Sequence, residues 1–514
     1  MNILIKLNTS KIILISTVLY LSSCALPYKI KKDKTVISYA NTITAEELKT
    51  HLTVLASDKY EGRETGKKGQ RMTAEYLKNE FIKLGLKPGN NGSYFQNFPL
   101  TETEAPQSRF QFRGKTYAYA EDFYYYQNYA KFEDFIVEYS QILPLGNGIV
   151  KGKYNDYRGQ NVKGKTVIIN VENPKGVKFS WKEKLKLAQE KGAKNVLFFS
   201  KYFELNMEKI HHYLTKSSVV LGKKLNEKKE YKNIPFFFIS QKMEMELMMD
   251  ITKEENEIPN PLKNSLIFEN SKISFIITSS NVLGLIEGSD ENLKNEIVIL
   301  TAHYDHLGII DGVVNNGADD DGSGTVALLE LAEAFMKAKK EGNGPKRSIL
   351  IMPVSGEEKG LLGSQYYVEN PVFPLKNTVV DLNIDMIGRI DEFHKKSDYV
   401  YLIGADKISQ ELHDVSEAAN RTYSKLDLDY TFNKDSDPNR FYYRSDHYNF
   451  AKSGIPVIFY FTGVHEDYHK PTDDIEKIMF PKLADITKLV FYTAWEIANK
   501  PARLKIGTKK GLEK

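Results

Sequence analysis

Three acids stand side by side at NNGADDDGSG (315–324), where Asp319, Asp320 and Asp321 precede an apolar run. One of them can cap the helix about to begin, and a second is tolerated beside its positive end. Holding a third there calls for a cation. Four other segments carry side chains that could share it. AHYDH (302–306) brings His303 and Asp305, and SGEEKG (355–360) brings Glu357 and Glu358. NIDMIG (383–388) places Asp385 among apolar neighbours, and EDYHKPTDD (466–474) offers His469. A buried, unpaired carboxylate costs several kcal/mol, roughly, so Asp385 requires a cation or a hydrogen-bond network. In an extended strand Asp305 lies on the same side as His303, where a carboxylate can accept the spare ring N–H of a metal-bound imidazole. Imidazole mixed with carboxylate suits zinc, with cobalt or manganese as substitutes, whereas all-oxygen calcium and magnesium sites need no histidine. One acid shared between ions, with a histidine and a further acid on each, is the composition of a two-metal hydrolase.

Such residues must be delivered to one place by the elements that carry them. From Ser280 onward the pattern alternates between strands and helices. EIVILTAHYDH, RSILIMPVSGEE, TVVDLNIDMIG and GIPVIFYFTG read as buried strands, and GTVALLELAEAFMKAKK and KLADITKLVFYTAWEIAN as helices. The expected fold is α/β, a mixed but mainly parallel central sheet with helices on both faces. Each of those strands ends in polar residues, and the crevice beyond the carboxyl ends of parallel strands is where such sheets bind ligands. Upstream, AEELKTHLTVLA and TAEYLKNEFIKLG show helical periodicity on either side of SDKYEGRETG, which reads as a polar turn. Short β-type runs follow at 165–171, 195–200 and 234–240, with a helical stretch between the first two, and suggest a small inserted α/β domain.

Taken together, AHYDH, NGADDDGSG, SGEEKGLLGS, NIDMIG and YHKPTDD resemble the signature segments of the di-zinc aminopeptidase family that includes aminopeptidases S and Y, glutamate carboxypeptidase and glutaminyl cyclase. The resemblance implies that His303 and Asp385 bind one zinc, Glu358 and His469 the other, and that Asp320 bridges them. Glu357 would be the general base for a water that the metals activate, Asp305 would orient His303, and Asp321 would shape the bridging turn. In FYYRSDHYNF (441–450) Arg444 stands where some members lead one to expect a tyrosine, so Tyr443 and Arg444 are both candidates for the oxyanion donor. The implied activity is that of a zinc exopeptidase acting on peptides, most simply an aminopeptidase. A carboxypeptidase or dipeptidase on the same site is the alternative, with glutaminyl cyclase or a non-catalytic binding protein behind it. The inserted region, with NVKGKTVIINV and EKGAKNVLFFS, resembles a protease-associated domain.

Of the chain's 514 residues, 71 are Lys or Arg and 67 Asp or Glu; so balanced a charge gives no reason to expect a nucleic-acid partner. At the start, Lys6 and Lys11 precede IILISTVLYL (12–21), too short to span a bilayer as a mature helix, which reads as a secretory signal. The only cysteine, Cys24, follows Leu21-Ser22-Ser23 and resembles the lipidated residue of a bacterial lipoprotein. The expectation is an exported protein anchored to the cell envelope through Cys24, with no intramolecular disulfide. The expected division is a signal at 1–23, a linker at 24–43, a helical N-terminal part at 44–135, the insert at 136–262, the catalytic domain at 263–505 and a tail at 506–514.

Overall fold

The computed structural model describes residues 28–126, 136–222, 233–251, 261–271 and 273–507. The signal segment, Cys24 and the end of the tail lie outside the described residues. No helix among the described residues is long and apolar enough to cross a membrane.

The signature segments hang from one eight-stranded sheet. Its centre is four parallel strands in the order Ser348–Val354, Ile297–His303, Thr378–Ile384 and Val457–Phe461. All four are buried on both faces, which is why they read as continuous apolar runs. Gly284–Ile286 flanks Ser348–Val354 antiparallel. On the other side Tyr399–Ile403 runs antiparallel to Val457–Phe461, and Asp427–Asp429 completes that edge. The long helices Gly324–Lys340 and Phe480–Asn499 pack in the same core as the N-terminal helices Ala45–Leu55 and Lys68–Leu84, through Leu48, Leu52, Leu77 and Phe81. Thr44 caps the first of these N-terminal helices by accepting from the Glu47 N–H, and Gly85, at φ 88°, closes the second.

A second eight-stranded sheet forms the insert. Its parallel centre, Ile136–Pro144, Thr166–Asn170, Asn195–Phe199 and Phe236–Ile239, contains the runs expected from the sequence. The helix Trp181–Glu190 begins with a capping box between Ser180 and Glu183.

The boundaries differ from the expected ones, and the expected linker at 24–43 holds a helix, Lys34–Ala40, because Val36, Tyr39 and Ala40 are buried in the main core. Residues 44–135 are not helical throughout: Arg109–Phe112, Lys115–Ala118 and Phe123–Tyr124 join the insert's sheet, where Phe110 and Phe123 meet Phe237 in its aromatic core. Pro261–Glu269, expected to open the catalytic domain, pairs with Ile136–Pro144 and Arg109–Phe112 instead. These strands are recruited from far along the chain, so local patterning did not assign them. A three-stranded sheet, Ser218–Leu221, Phe95–Thr103 and Ser274–Val282, links the two units.

Candidate metal centre

His303 is the last residue of its strand; Glu357, Asp385 and His469 follow the ends of the neighbouring parallel strands. The turn Ala318–Ser323, which leads into the helix from Gly324, carries the acid triplet. In this crevice one ligating atom from each of His303, Glu357 and Asp385 lies within 4.8 Å of the others, and the same holds for His306, Asp320 and Glu358. Asp320 joins the groups: its Oδ1 is 3.2 Å from His303 Nε2, and its Oδ2 is 3.2 Å from His469 Nε2. His303 Nε2 is 3.6 Å from Asp385 Oδ1, and His469 Nε2 is 3.3 Å from Glu358 Oε2. A tetrahedral zinc with bonds of about 2.0–2.1 Å separates its donor atoms by about 3.3 Å, so these spacings fit. Buried polar atoms support the same conclusion. Asp320 Oδ2, Glu358 Oε1 and both ring nitrogens of His306 have no hydrogen-bond partner, which is costly unless something else satisfies them.

The protonation tendencies describe a site short of positive charge. Burial works against a charged His303, yet Glu357, Asp385 and Asp320 raise its pKa well above the ordinary imidazole value. His469 is raised to about 10 by Asp320 and Glu358 against the opposing effect of burial. Glu358 is drawn down to about 2, although burial and Asp320 oppose it, because His306 and His469 stand beside it. Burial, with Glu358 and Asp385 adding repulsion, lifts the Glu357 carboxyl well above its usual range.

The triplet divides its work. Only Asp320 faces the cluster. Asp321 accepts from the backbone N–H groups of His303, Gly324 and Met386, tying the turn to two strands. Asp319 accepts from the Gly388 N–H at 2.6 Å, and its Oδ2 lies 3.3 Å from His465 Nε2. Asp473, in the YHKPTDD segment, accepts from the N–H groups of both Asp319 and Asp320. The repulsion expected of three adjacent carboxylates is thus spread over separate partners.

Two further expectations change. Asp305 does not orient His303 through its carboxylate, which is 3.9 Å from Nδ1; the Asp305 backbone carbonyl, at 3.0 Å, is the partner of that nitrogen. The carboxylate is engaged elsewhere, accepting from Thr65 Oγ1 at 2.5 Å and from the Glu357 N–H at 3.3 Å. Tyr443 is exposed, packs against Tyr442, Tyr448 and Arg440, and does not line the cavity over the cluster. Arg444 does line it, its guanidinium over the Phe441 ring and 3.4 Å from the Tyr468 hydroxyl. Met386, Phe441, Phe459, Phe461 and Val464 make the rest of that cavity apolar.

Several residues that build the site carried no clear sequence signal. SDKYEGRETG is not a solvated turn: Arg63 is fully buried and donates to the carbonyls of Leu55, Tyr304, Asn316 and Gly317, bracing the loop between His303 and the triplet. Ser445, next to Arg444, donates to Asp385 Oδ2 at 2.7 Å and fixes that acid. Tyr468 stacks on His469 with ring centroids 3.9 Å apart. His306 was visible in HYDH but lies outside the strand's alternation, and only the loop's curvature brings it into the cluster.

Parallel strands of this α/β domain thus end in a paired cluster of imidazoles and carboxylates with the composition of a two-metal site. Residues 281–494 match the model of peptidase family M28. A probable zinc metalloprotease of Pyrenophora teres is 29% identical over 274 residues, which cover 45% of this chain and 54% of that protein. A probable leucine aminopeptidase of Arthroderma otae is 32% identical over 225 residues, 42% of this chain and 57% of the relative. Aminopeptidase YwaD of Bacillus subtilis is 30% identical over 236 residues, 44% of this chain and 47% of YwaD. The chain thus spans about half the length of these curated relatives. Among solved structures, an aminopeptidase from an Aneurinibacillus strain superposes with a TM-score of 0.53 at 19% identity, over 92% of this chain and 98% of that one. BSAP, a zinc aminopeptidase from Bacillus subtilis, gives 0.52 at 20% identity, over 91% and 99%. These two likenesses show the fold.

Proposed function

We propose that this chain is a zinc-dependent exopeptidase that removes N-terminal residues from peptides. The observation that carries the proposal is the joining of two donor groups by Asp320 at the floor of a cavity whose remaining wall is largely apolar. His303, Asp385, Asp320, Glu358 and His469 would hold two zinc ions, with cobalt or manganese as substitutes. When bound, the ions would polarise the scissile carbonyl and supply a readily deprotonated water near neutrality.

Glu357 is the proton carrier in this reading. Its carboxylate lies 3.9 Å from His303 Nε2, and its backbone N–H is held by Asp305. A carboxylate so placed would take a proton from the attacking water and return it to the leaving amine. Its pKa, raised by burial, favours holding that proton between the two transfers. The wall of Met386, Phe441, Phe459, Phe461 and Val464 suits an apolar substrate side chain. Arg444 and Tyr468 are placed to donate to a developing oxyanion.

Arg444 also supports a second reading. Its guanidinium has no carboxylate partner among the described residues and could receive a substrate carboxylate, as a carboxypeptidase or dipeptidase requires. Assaying free-amino aminoacyl chromogenic substrates, amino-blocked peptides and dipeptides, each with and without chelator, separates these activities. Hydrolysis of the first group alone, abolished by chelator, is expected. Export with a lipid anchor at Cys24 and a protease-associated role for the insert complete the proposal, supported by the sequence patterns at 12–24 and 161–200.

A further inference from the structure

His306 is absent from the ligand set that the sequence resemblance implies, yet it occupies the cluster more closely than some members of that set. Its side chain is wholly buried, and neither ring nitrogen has a hydrogen-bond partner. Nδ1 is 2.9 Å from Glu358 Oε1 and 3.8 Å from Asp320 Oδ2, and both of those oxygens also lack hydrogen-bond partners. Three inaccessible atoms, none of them in good hydrogen-bond geometry, therefore converge. A neutral core histidine would normally bond at least one nitrogen to a carbonyl or hydroxyl. The ring is also deliberately housed: a Cβ on Gly317 would come within 2.4 Å of His306 Cδ2, and Gly317 is at φ 55°. The His306 backbone N–H donates to the carbonyl of Arg63, so the brace that shapes the loop also seats this residue.

We infer that His306 is an additional protein ligand, through Nδ1, for the cation held by Asp320, Glu358 and His469. This rests on the two-cation reading above and goes beyond it, because it makes the positions unequal. One position then has four protein donors, His306, His469, Glu358 and Asp320, enough to complete a tetrahedral set as structural zinc sites do. The other has His303, Asp385 and Asp320, and keeps an open place beneath the substrate cavity, as catalytic zinc sites do. The first cation is held tightly for architecture and the second exchanges more readily. The asymmetry also explains why the cavity opens on His303, Asp320, Glu357 and Asp385 and not on His306.

The test is metal binding to the chelated full-length protein. Wild type, His306→Ala and His306→Asn are titrated with Co2+ followed by visible absorption, and the cadmium-loaded forms are compared by 113Cd NMR. Asn places a carbonyl oxygen near the position of Nδ1. Wild type is expected to bind two ions in distinguishable steps. His306→Ala should weaken the tighter step by at least about 100-fold, the upper end of what losing a ligand-orienting partner costs. It should also move one 113Cd resonance while leaving the other in place, and His306→Asn should recover part of the affinity. Affinities and resonances unchanged in both variants would overturn the inference while leaving the two-cation reading intact. A small loss of affinity with unmoved resonances would also overturn it, since that is the mark of a hydrogen-bonding role. Failure of wild type to bind two ions would refute the two-cation reading itself and this inference with it.

Discussion

Replacing Arg63 with methionine tests whether the site is built from a distance, because this side chain touches no proposed ligand yet braces the loop that delivers them. Its Nε donates to the Tyr304 carbonyl at 2.9 Å, Nη1 to Leu55 at 3.0 Å and Asn316 at 2.5 Å, and Nη2 to Gly317 at 2.8 Å. Hydrogen bonds to a charged donor are worth about 1.5–3 kcal/mol each, but removing the guanidinium also removes the cost of having buried it. Breaking a buried charged network by deleting one partner typically costs about 3–5 kcal/mol, which is the loss expected for Arg63→Met. Lysine keeps the charge but has one donor centre where arginine has a planar fork, so Arg63→Lys should lose roughly half as much. The chain has two tryptophans, one in each unit. In a Trp181→Phe background, Trp495, packed on Phe335 and Phe491, reports urea unfolding of the unit that carries the cluster alone. Zinc affinity should fall in parallel, because the loop 304–317 carries His306 and leads into Asp320. If Arg63→Met unfolds within about 1 kcal/mol of wild type and binds zinc equally well, the bracing role is wrong, since changes that small are typical of ordinary surface substitutions.

Other consequences follow from the same geometry. Glu357→Gln should leave metal content unchanged while lowering kcat by about 100- to 10,000-fold, the range of general acid–base catalysis; undiminished hydrolysis removes Glu357 from the mechanism. Asp320→Ala should reduce occupancy at both positions by elemental analysis, because it is the acid shared by the two groups; full retention of two ions contradicts bridging. His469 is raised to about 10 and His303 well above its usual value, so both carry protons at neutral pH before metal binds. Each must lose its proton to ligate, so zinc binding should release protons at pH 7 and weaken as pH falls. Calorimetry in buffers of different ionisation enthalpy measures that release, and an absence of protons leaving would refute the assignment. Cys24→Ser should shift the protein from the membrane fraction to the soluble fraction of cells; unchanged partitioning would remove the proposed anchor.

What the sequence revealed follows from how locally each feature is encoded. The four central strands are buried on both faces and read as apolar runs ending in polar residues, so their order along the chain already gathered His303, Glu357, Glu358, Asp385 and His469 at one sheet edge. The helix Gly324–Lys340 was legible for the same reason. Tyr399–Ile403 and Asp427–Asp429 were not, being short and lying at or near the sheet's edge. The insert's outer strands were missed because their partners are distant: Arg109–Phe112 pairs with Pro261–Glu269. Within the site, ligand types were visible from composition, whereas support was not. Nothing local distinguishes an arginine in a polar turn from Arg63, whose acceptors lie up to 254 residues away. The role expected of the Asp305 carboxylate went to a backbone carbonyl, which every residue has and no motif records.

The central claim is that two cations make the crowding of these imidazoles and carboxylates favourable. It is tested most directly by stripping the purified protein with chelator, restoring measured increments of zinc and following bound zinc and aminoacyl-substrate hydrolysis together. Two zinc ions per chain, with activity absent in the stripped protein and restored by the added metal, is the expected result. A stripped protein that hydrolyses as fast as the untreated one, or that takes up no zinc, would contradict the account.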